Sequence, residues 1–286
     1  MTIVSRSAAV LIMISLMVLV PNYVGFTEGQ IIKKVTNVSQ LKSSENVNVS
    51  LENKTIQYFK DAQGYLVYPT SNDSEPKLPA VIMIHEWWGL NQNIKDMANL
   101  LAKNGFVVLA ADLYHGKATD NPQVATDLVQ TARKSQNLSI ANLQAAVNYL
   151  SSAPNVDSSK IVSLGWCFGG GQSLQLALNS QEHPLAATIL YYGTPLVTDK
   201  DSISKIKWPV LGIFGDKDQA IPMAEVNQFS ATLNQTGITN EIHVYSGVGH
   251  AFANPSGENY APKETEDAWQ RTLSFLNKYV VEHDKI

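Results

Sequence analysis

A doubly wound, mostly parallel α/β sheet with helices on both faces is predicted by three features of the chain. Short, nearly all-apolar runs at 80–84, 106–113, 161–166, 186–193 and 210–215 recur along it, and such runs suit strands covered on both sides. Amphipathic helical patterns separate them, and 286 residues are enough for one large domain. The first element is a strand pair over 56–69 (IQYFKDAQGYLVYP), with its turn at 61–64. After the run AVIMI, Ile94, Met97, Ala98, Leu100 and Leu101 form one apolar stripe over 94–103, and Gly105 follows as a stop signal. The stripe recurs over 139–150 with Ile140, Leu143, Ala146, Val147 and Leu150. A last strand is expected at 241–245 and a last helix at 264–281, the latter carrying Trp269, Leu273, Phe275 and Leu276.

Ahead of this domain, Arg6 precedes an apolar run at 8–20 whose length and flank suit a signal peptide better than a membrane span. Residues 1–26 are therefore expected to export the domain or anchor it outside the cell. Membrane contact is expected only through that segment where it stays uncleaved. The polar stretch 27–52 reads as a linker, and the domain is expected over 53–286. With 21 Lys and Arg against 25 Asp and Glu, the formal charge is -4, which excludes a general polyanion-binding role and so a nucleic-acid partner. The single cysteine, Cys167, excludes an intramolecular disulfide framework and a multi-cysteine zinc site.

That cysteine stands in Gly165-Trp166-Cys167-Phe168-Gly169-Gly170-Gly171, between an apolar run and the helical QSLQLAL. The pattern is that of a nucleophile elbow, a sharp strand-to-helix turn in which flanking glycines let two backbones approach. A thiol at the first turn of a helix faces the positive end of the helix dipole, which favours the thiolate. An acid and then a histidine should follow it in the chain. Two acids, Asp216 and Asp218, lie just after the run 210–215; Asp218, further into the loop, is the favoured partner of the base, and Asp216 reads as turn-forming. The base candidate is His250, in a loop flanked by Gly247 and Gly249. A surface or structural role is expected for His85, His115, His183 and His243. After the run 80–84, His85-Glu86-Trp87-Trp88-Gly89 would supply the second oxyanion donor, so the Trp87 and Phe168 amides are the candidates for that hole. Trp88 reads as a wall of a pocket.

Taken in order, HEWWGLN, ADLYHG, GWCFGGG, YYG, GDKDQAIP and GVGHAF resemble the dienelactone hydrolase family of α/β-hydrolases, over about 55–281. The resemblance implies the α/β-hydrolase fold, Cys167 as nucleophile, Asp218 and His250 as its partners, and Glu86 as the acid that interacts with the resting cysteine. It also implies hydrolysis of a small ester or lactone through an acyl-cysteine, with no metal and no organic cofactor. Trp88, Tyr192 and Asn254 are the candidates for the substrate pocket. Members that open dienelactone hold its carboxylate with arginines, one of them four residues after the histidine. That position is Asn254 here, while Arg133 lies in the region of another. Without a guanidinium fork, bidentate recognition of a carboxylate is lost. The alternative is a non-catalytic ligand-binding protein on the same scaffold.

Overall fold

The computed structural model describes residues 49–70 and 76–282. The expected export segment, 1–26, and nearly all of the linker lie outside them. Strand β1 (Leu51–Phe59) begins just ahead of the boundary expected at 53 and pairs antiparallel with β2 (Ala62–Pro69). Their turn falls at Lys60 and Asp61 and is tighter than expected, so Gln63 and Gly64 belong to β2. Then follow β3 (Leu78–Ile84), α1 (Gln92–Ala102), β4 (Val107–Ala111), α2 (Pro122–Lys134), α3 (Gln136–Ser151), β5 (Val156–Trp166) and α4 (Phe168–Ala177). The chain continues through β6 (Ala187–Tyr191), the short α5 (Lys200–Ile203), β7 (Val210–Gly215), α6 (Met223–Gln235), β8 (Asn240–Tyr245) and α7 (Pro262–Leu276). One π-helical turn, Asn277–Val281, extends α7.

The eight strands form one sheet in the order β1-β2-β4-β3-β5-β6-β7-β8. From β4 to β8 all pairings are parallel; at one edge the β1–β2 and β2–β4 pairings are antiparallel, so β2 alone runs against the rest. Strands β4, β6 and β7 are buried at every position, as expected where helices cover both faces. At the far edge β8 is only half-buried. Among the described residues, no helix is long and apolar enough to cross a membrane.

Helix starts follow side-chain chemistry where it is available. Asn91 caps α1 by accepting from the Ile94 amide, and Asn121 caps α2 by accepting from Gln123 and Val124, with Pro122 in the first turn. Between β5 and β6, Ser163, Thr188 and Ser173 of α4 form a buried hydrogen-bonded group into which the Trp208 indole donates at 2.8 Å. This group satisfies polar atoms inside the core while fixing α4 against the sheet.

The order of strands reverses around β3. From it the chain passes first outward to β4, then back across to β5, leaving a crevice at the carboxyl ends of β3 and β5, the usual ligand position of an open α/β sheet. Ile84 pairs in register with Gly165, so Glu86 and Cys167 leave the sheet side by side.

Candidate active site

Cys167 occupies the turn between β5 and α4 with φ 53° and ψ −119°, a conformation that a side chain adopts only when its surroundings hold it there. They do so by backbone proximity. A methyl group on Gly165 would collide with the Gly169 carbonyl, and one on Gly169 with the carbonyls of Ile84 and His85. The turn is further pinned by the Cys167 amide donating to Tyr191 O at 3.0 Å and by the Gly171 and Thr194 amides donating to Cys167 O. The result is a half-exposed thiol at the head of a helix.

The two loops that carry Asp218 and His250 are tied together before either reaches the thiol. The Asp216 amide donates to Tyr245 O and the Lys217 amide to Val248 O. The Asp216 carboxylate accepts from the Gly247 amide at 2.7 Å and the Ser246 hydroxyl at 3.0 Å. Asp216 thus braces the histidine loop, while Asp218 turns inward. One Asp218 oxygen accepts from the Ala220 and Ile221 amides and the other lies 2.8 Å from His250 Nδ1. His250 Nε2 lies 3.1 Å from Cys167 Sγ. Asn259, which carries no signal in the sequence, supports the loop by donating to His250 O at 2.9 Å.

Burial works against a positive imidazole, but the bonds to Asp218 and Cys167 outweigh it and push His250 up to about 10. That rise favours the doubly protonated ring, with Nε2 directed at the sulfur and Nδ1 at Asp218. Glu86, only 4% exposed, is pushed up to about 7 by burial; the attraction of His250 and a bond from Asn254 recover part of the cost. Its carboxyl accepts from Asn254 Nδ2 at 2.5 Å. Asn254 is itself buried, and the side chain bonded to the sulfur is His250, not Glu86. Glu86 and Asn254 share a small crevice with Ile94, Met97, Trp166 and Tyr192.

Tyr192 is fully buried, its ring edge-on to both His250 and Phe252. Trp87 and Trp88, both half-buried, pack on each other with ring centres 4.5 Å apart, and neither lines that crevice. The Trp87 and Phe168 amides follow β3 and Cys167 respectively, and among the described residues neither donates to a protein acceptor. Of the remaining histidines, His85 is fully buried, with Nε2 accepting from the Leu113 amide and Nδ1 facing Glu86 O. Burial lowers its pKa, so it serves as a neutral bridge between β3 and the β4 loop. His115 pairs with Asp61 at 2.6 Å, away from the thiol. Tyr114, unremarked in the sequence, stacks on Phe168 with ring centres 5.6 Å apart and meets His85 at a tilt with centres 4.6 Å apart. Among the described residues no cluster of three or more His, Cys, Asp and Glu is arranged to hold a metal ion.

A thiol, an imidazole bonded to a buried carboxylate, and two amides without protein acceptors thus meet at one sheet edge. Comparison with known proteins places the chain in a family. The sequence profile of the dienelactone hydrolase family matches residues 62–280. Protein usf of Aquifex pyrophilus is 34% identical, over 71% of this chain and 89% of its own length. A protein of Saccharolobus solfataricus named "Putative carboxymethylenebutenolidase" is 33% identical, over 78% of this chain and 98% of its own length. The crystal structure of a "Putative Dienelactone Hydrolase" from Klebsiella pneumoniae superposes with a TM-score of 0.71 at 26% identity, covering 82% of this chain and all of that one. The chain belongs to the dienelactone hydrolase family.

Proposed function

We propose that the protein hydrolyses carboxylic esters or lactones through an acyl-cysteine formed on Cys167. The observation that carries this reading is the unbroken run of hydrogen bonds from Cys167 Sγ through His250 to Asp218. Cys167 attacks the substrate carbonyl as the thiolate, its proton held on His250 Nε2. Charge then develops on the carbonyl oxygen, where the free Trp87 and Phe168 amides receive it. As the intermediate collapses, His250 Nε2 gives its proton to the departing oxygen and becomes neutral. The same nitrogen next takes a proton from water, whose hydroxide attacks the thioester, and expulsion of sulfur restores the starting pair. Asp218 holds the ring in the tautomer that both steps need. Glu86, when ionised, adds to Asp218 in favouring the imidazolium.

Incubation with an activated ester at low pH, followed by mass spectrometry of the intact chain, tests the reading. The expected result is one acyl group on Cys167, absent from Cys167→Ala, and loss of turnover in that variant. Acylation elsewhere, or full turnover in Cys167→Ala, would exclude this mechanism.

A further inference from the structure

A cavity of about 220 Å³ lies between the β4–α2 loop and helices α2 and α3. It is smaller than the roughly 300–1,000 Å³ of a complete small-molecule site, a size that suits one arm of a substrate. Its walls include Leu113, Leu128, Ala132 and Leu138. Most of the polar side chains that line it, the exposed Thr131 and the Asp61-bound His115 included, are already engaged within the protein. Thr131 donates to Asp127 O, Ser139 to Ala132 O, and Asn142 donates to Asp112 O while accepting from Tyr58. Lys117 and Ser135 are exposed at its rim.

Tyr114 is the exception. It lines the cavity, is 4% exposed, and its hydroxyl has no hydrogen-bond partner among the described residues. A buried hydroxyl without a partner is destabilising, and natural structures seldom keep one without a use for it. Tyr114 also connects the cavity to the chemistry, because its ring stacks on Phe168, whose amide follows the nucleophile. The phenol lies within electrostatic reach of Cys167. The cations around the cavity are engaged or at its rim: the Arg133 guanidinium, within electrostatic reach of the phenol, donates to Thr194 O, His115 pairs with Asp61, and Lys117 is exposed. A charged group against the apolar inner walls would therefore lose its hydration with only the rim Lys117 as a free counter-charge.

We propose that this cavity receives one uncharged, largely apolar arm of the ester or lactone, and that the Tyr114 hydroxyl donates to an ether or carbonyl oxygen on that arm. The proposal rests on the hydrolase reading above and adds the class of substrate. Tyr114 is on this view a specificity residue: its hydroxyl is enclosed and unpaired beside the cavity, and a small shift of the ring brings it to the arm when the substrate enters.

The test compares kcat/KM for the p-nitrophenyl esters of acetic, butyric and methoxyacetic acids, the last two equal in length and differing by one oxygen. The wild type should favour butyrate over acetate by at least about fivefold, the direction expected for methylenes entering an apolar pocket. Leu128→Trp, which fills the cavity, should abolish that preference. Tyr114→Phe should lower the methoxyacetate rate by about tenfold and the butyrate rate by less than twofold, the scale of one hydrogen bond. Its melting temperature should be no lower than that of the wild type, an outcome that loss of a structural bond would not produce. Equal losses on butyrate and methoxyacetate in Tyr114→Phe, or an unchanged butyrate preference in a folded Leu128→Trp, would overturn the proposal. Should Leu128→Trp not fold, the Tyr114→Phe ratio decides alone. A wild type inert toward all three esters would instead overturn the hydrolase reading, and this proposal with it.

Discussion

Two carboxylates follow β7 within the same loop, and the direction of their hydrogen bonds separates their tasks. Asp216 spends both oxygens on Ser246 and Gly247, which fixes where the histidine loop begins. Asp218, almost wholly buried, divides its oxygens between two backbone amides and the ring of His250. In Asp218→Asn the carbonyl oxygen can keep the two amides, which places an N–H against His250 Nδ1 and forces the wrong tautomer. A fall in kcat/KM of about 10³-fold or more is expected with little change in melting temperature, by analogy with serine-protease triads. Steady-state kinetics beside a thermal melt checks it, and a variant within tenfold of the wild type would show that Asp218 does not orient the ring. Asn254 shows a different economy of side chains. Where an arginine would reach outward to a substrate carboxylate, the shorter amide donates to Glu86 and accepts from the Ser256 amide, so the position serves the protein's own acid and its own loop.

The elbow is the element whose sequence and geometry are most tightly bound. Gly169 lies against the carbonyls of Ile84 and His85, so the first turn of α4 touches the end of β3 through backbone alone. Gly169→Ala must push these elements apart, and neither is a flexible side chain that could yield. A loss of roughly 3 kcal/mol, at the upper end of overpacking costs, is expected from urea unfolding. Near-wild-type stability would mean that the contact is slack. Glycine spacing, apolar runs and chain order made the elbow, β3 to β7, and helices α1, α3 and α7 legible from the residues. Helices α2 and α6 were not. Only Ala125 and Ala132 of α2 are buried, too thin a stripe to register, although Asn121-Pro122 was a readable start. In α6, Val226, Phe229 and Leu233 do form a ridge, but the polar residues around it leave a stripe nearly as thin as that of α2. At the site, the order of cysteine, acid and histidine selected three side chains that the fold brings into one hydrogen-bonded chain. The roles of Asn259, Tyr114 and the Asn254–Glu86 bond were illegible, because each depends on how distant loops meet, which no local pattern encodes.

At the scale of the whole molecule, the crevice is possible because the strand order reverses at β3, and that placement has a thermodynamic cost. Glu86 is carried into the interior by the same strand that supplies the Trp87 amide, and burial raises its pKa from 4.5 to about 7. The groups facing it include His250, whose positive charge opposes the rise, and Asn254, whose amide does the same; Tyr192 adds the wall of its crevice. Below about pH 4.5 the carboxyl is protonated in both folded and unfolded chains and contributes no pH dependence. Between about 4.5 and 7 the folded chain holds a proton that the unfolded chain has released, so stability falls as pH rises. Above about pH 7 the full cost is present, on the order of 3 kcal/mol, because each tenfold change in proton affinity corresponds to about 1.4 kcal/mol. Glu86→Gln keeps the shape and an oxygen for Asn254 but has no proton to lose. It should therefore melt above the wild type at pH 8, and the gap should close as pH is lowered to 5. Because the His250 titration is present in both proteins, the difference between their melting curves isolates Glu86. A gap of constant size across that range, or one that widens toward pH 5, would show that Glu86 is ionised in the folded protein throughout.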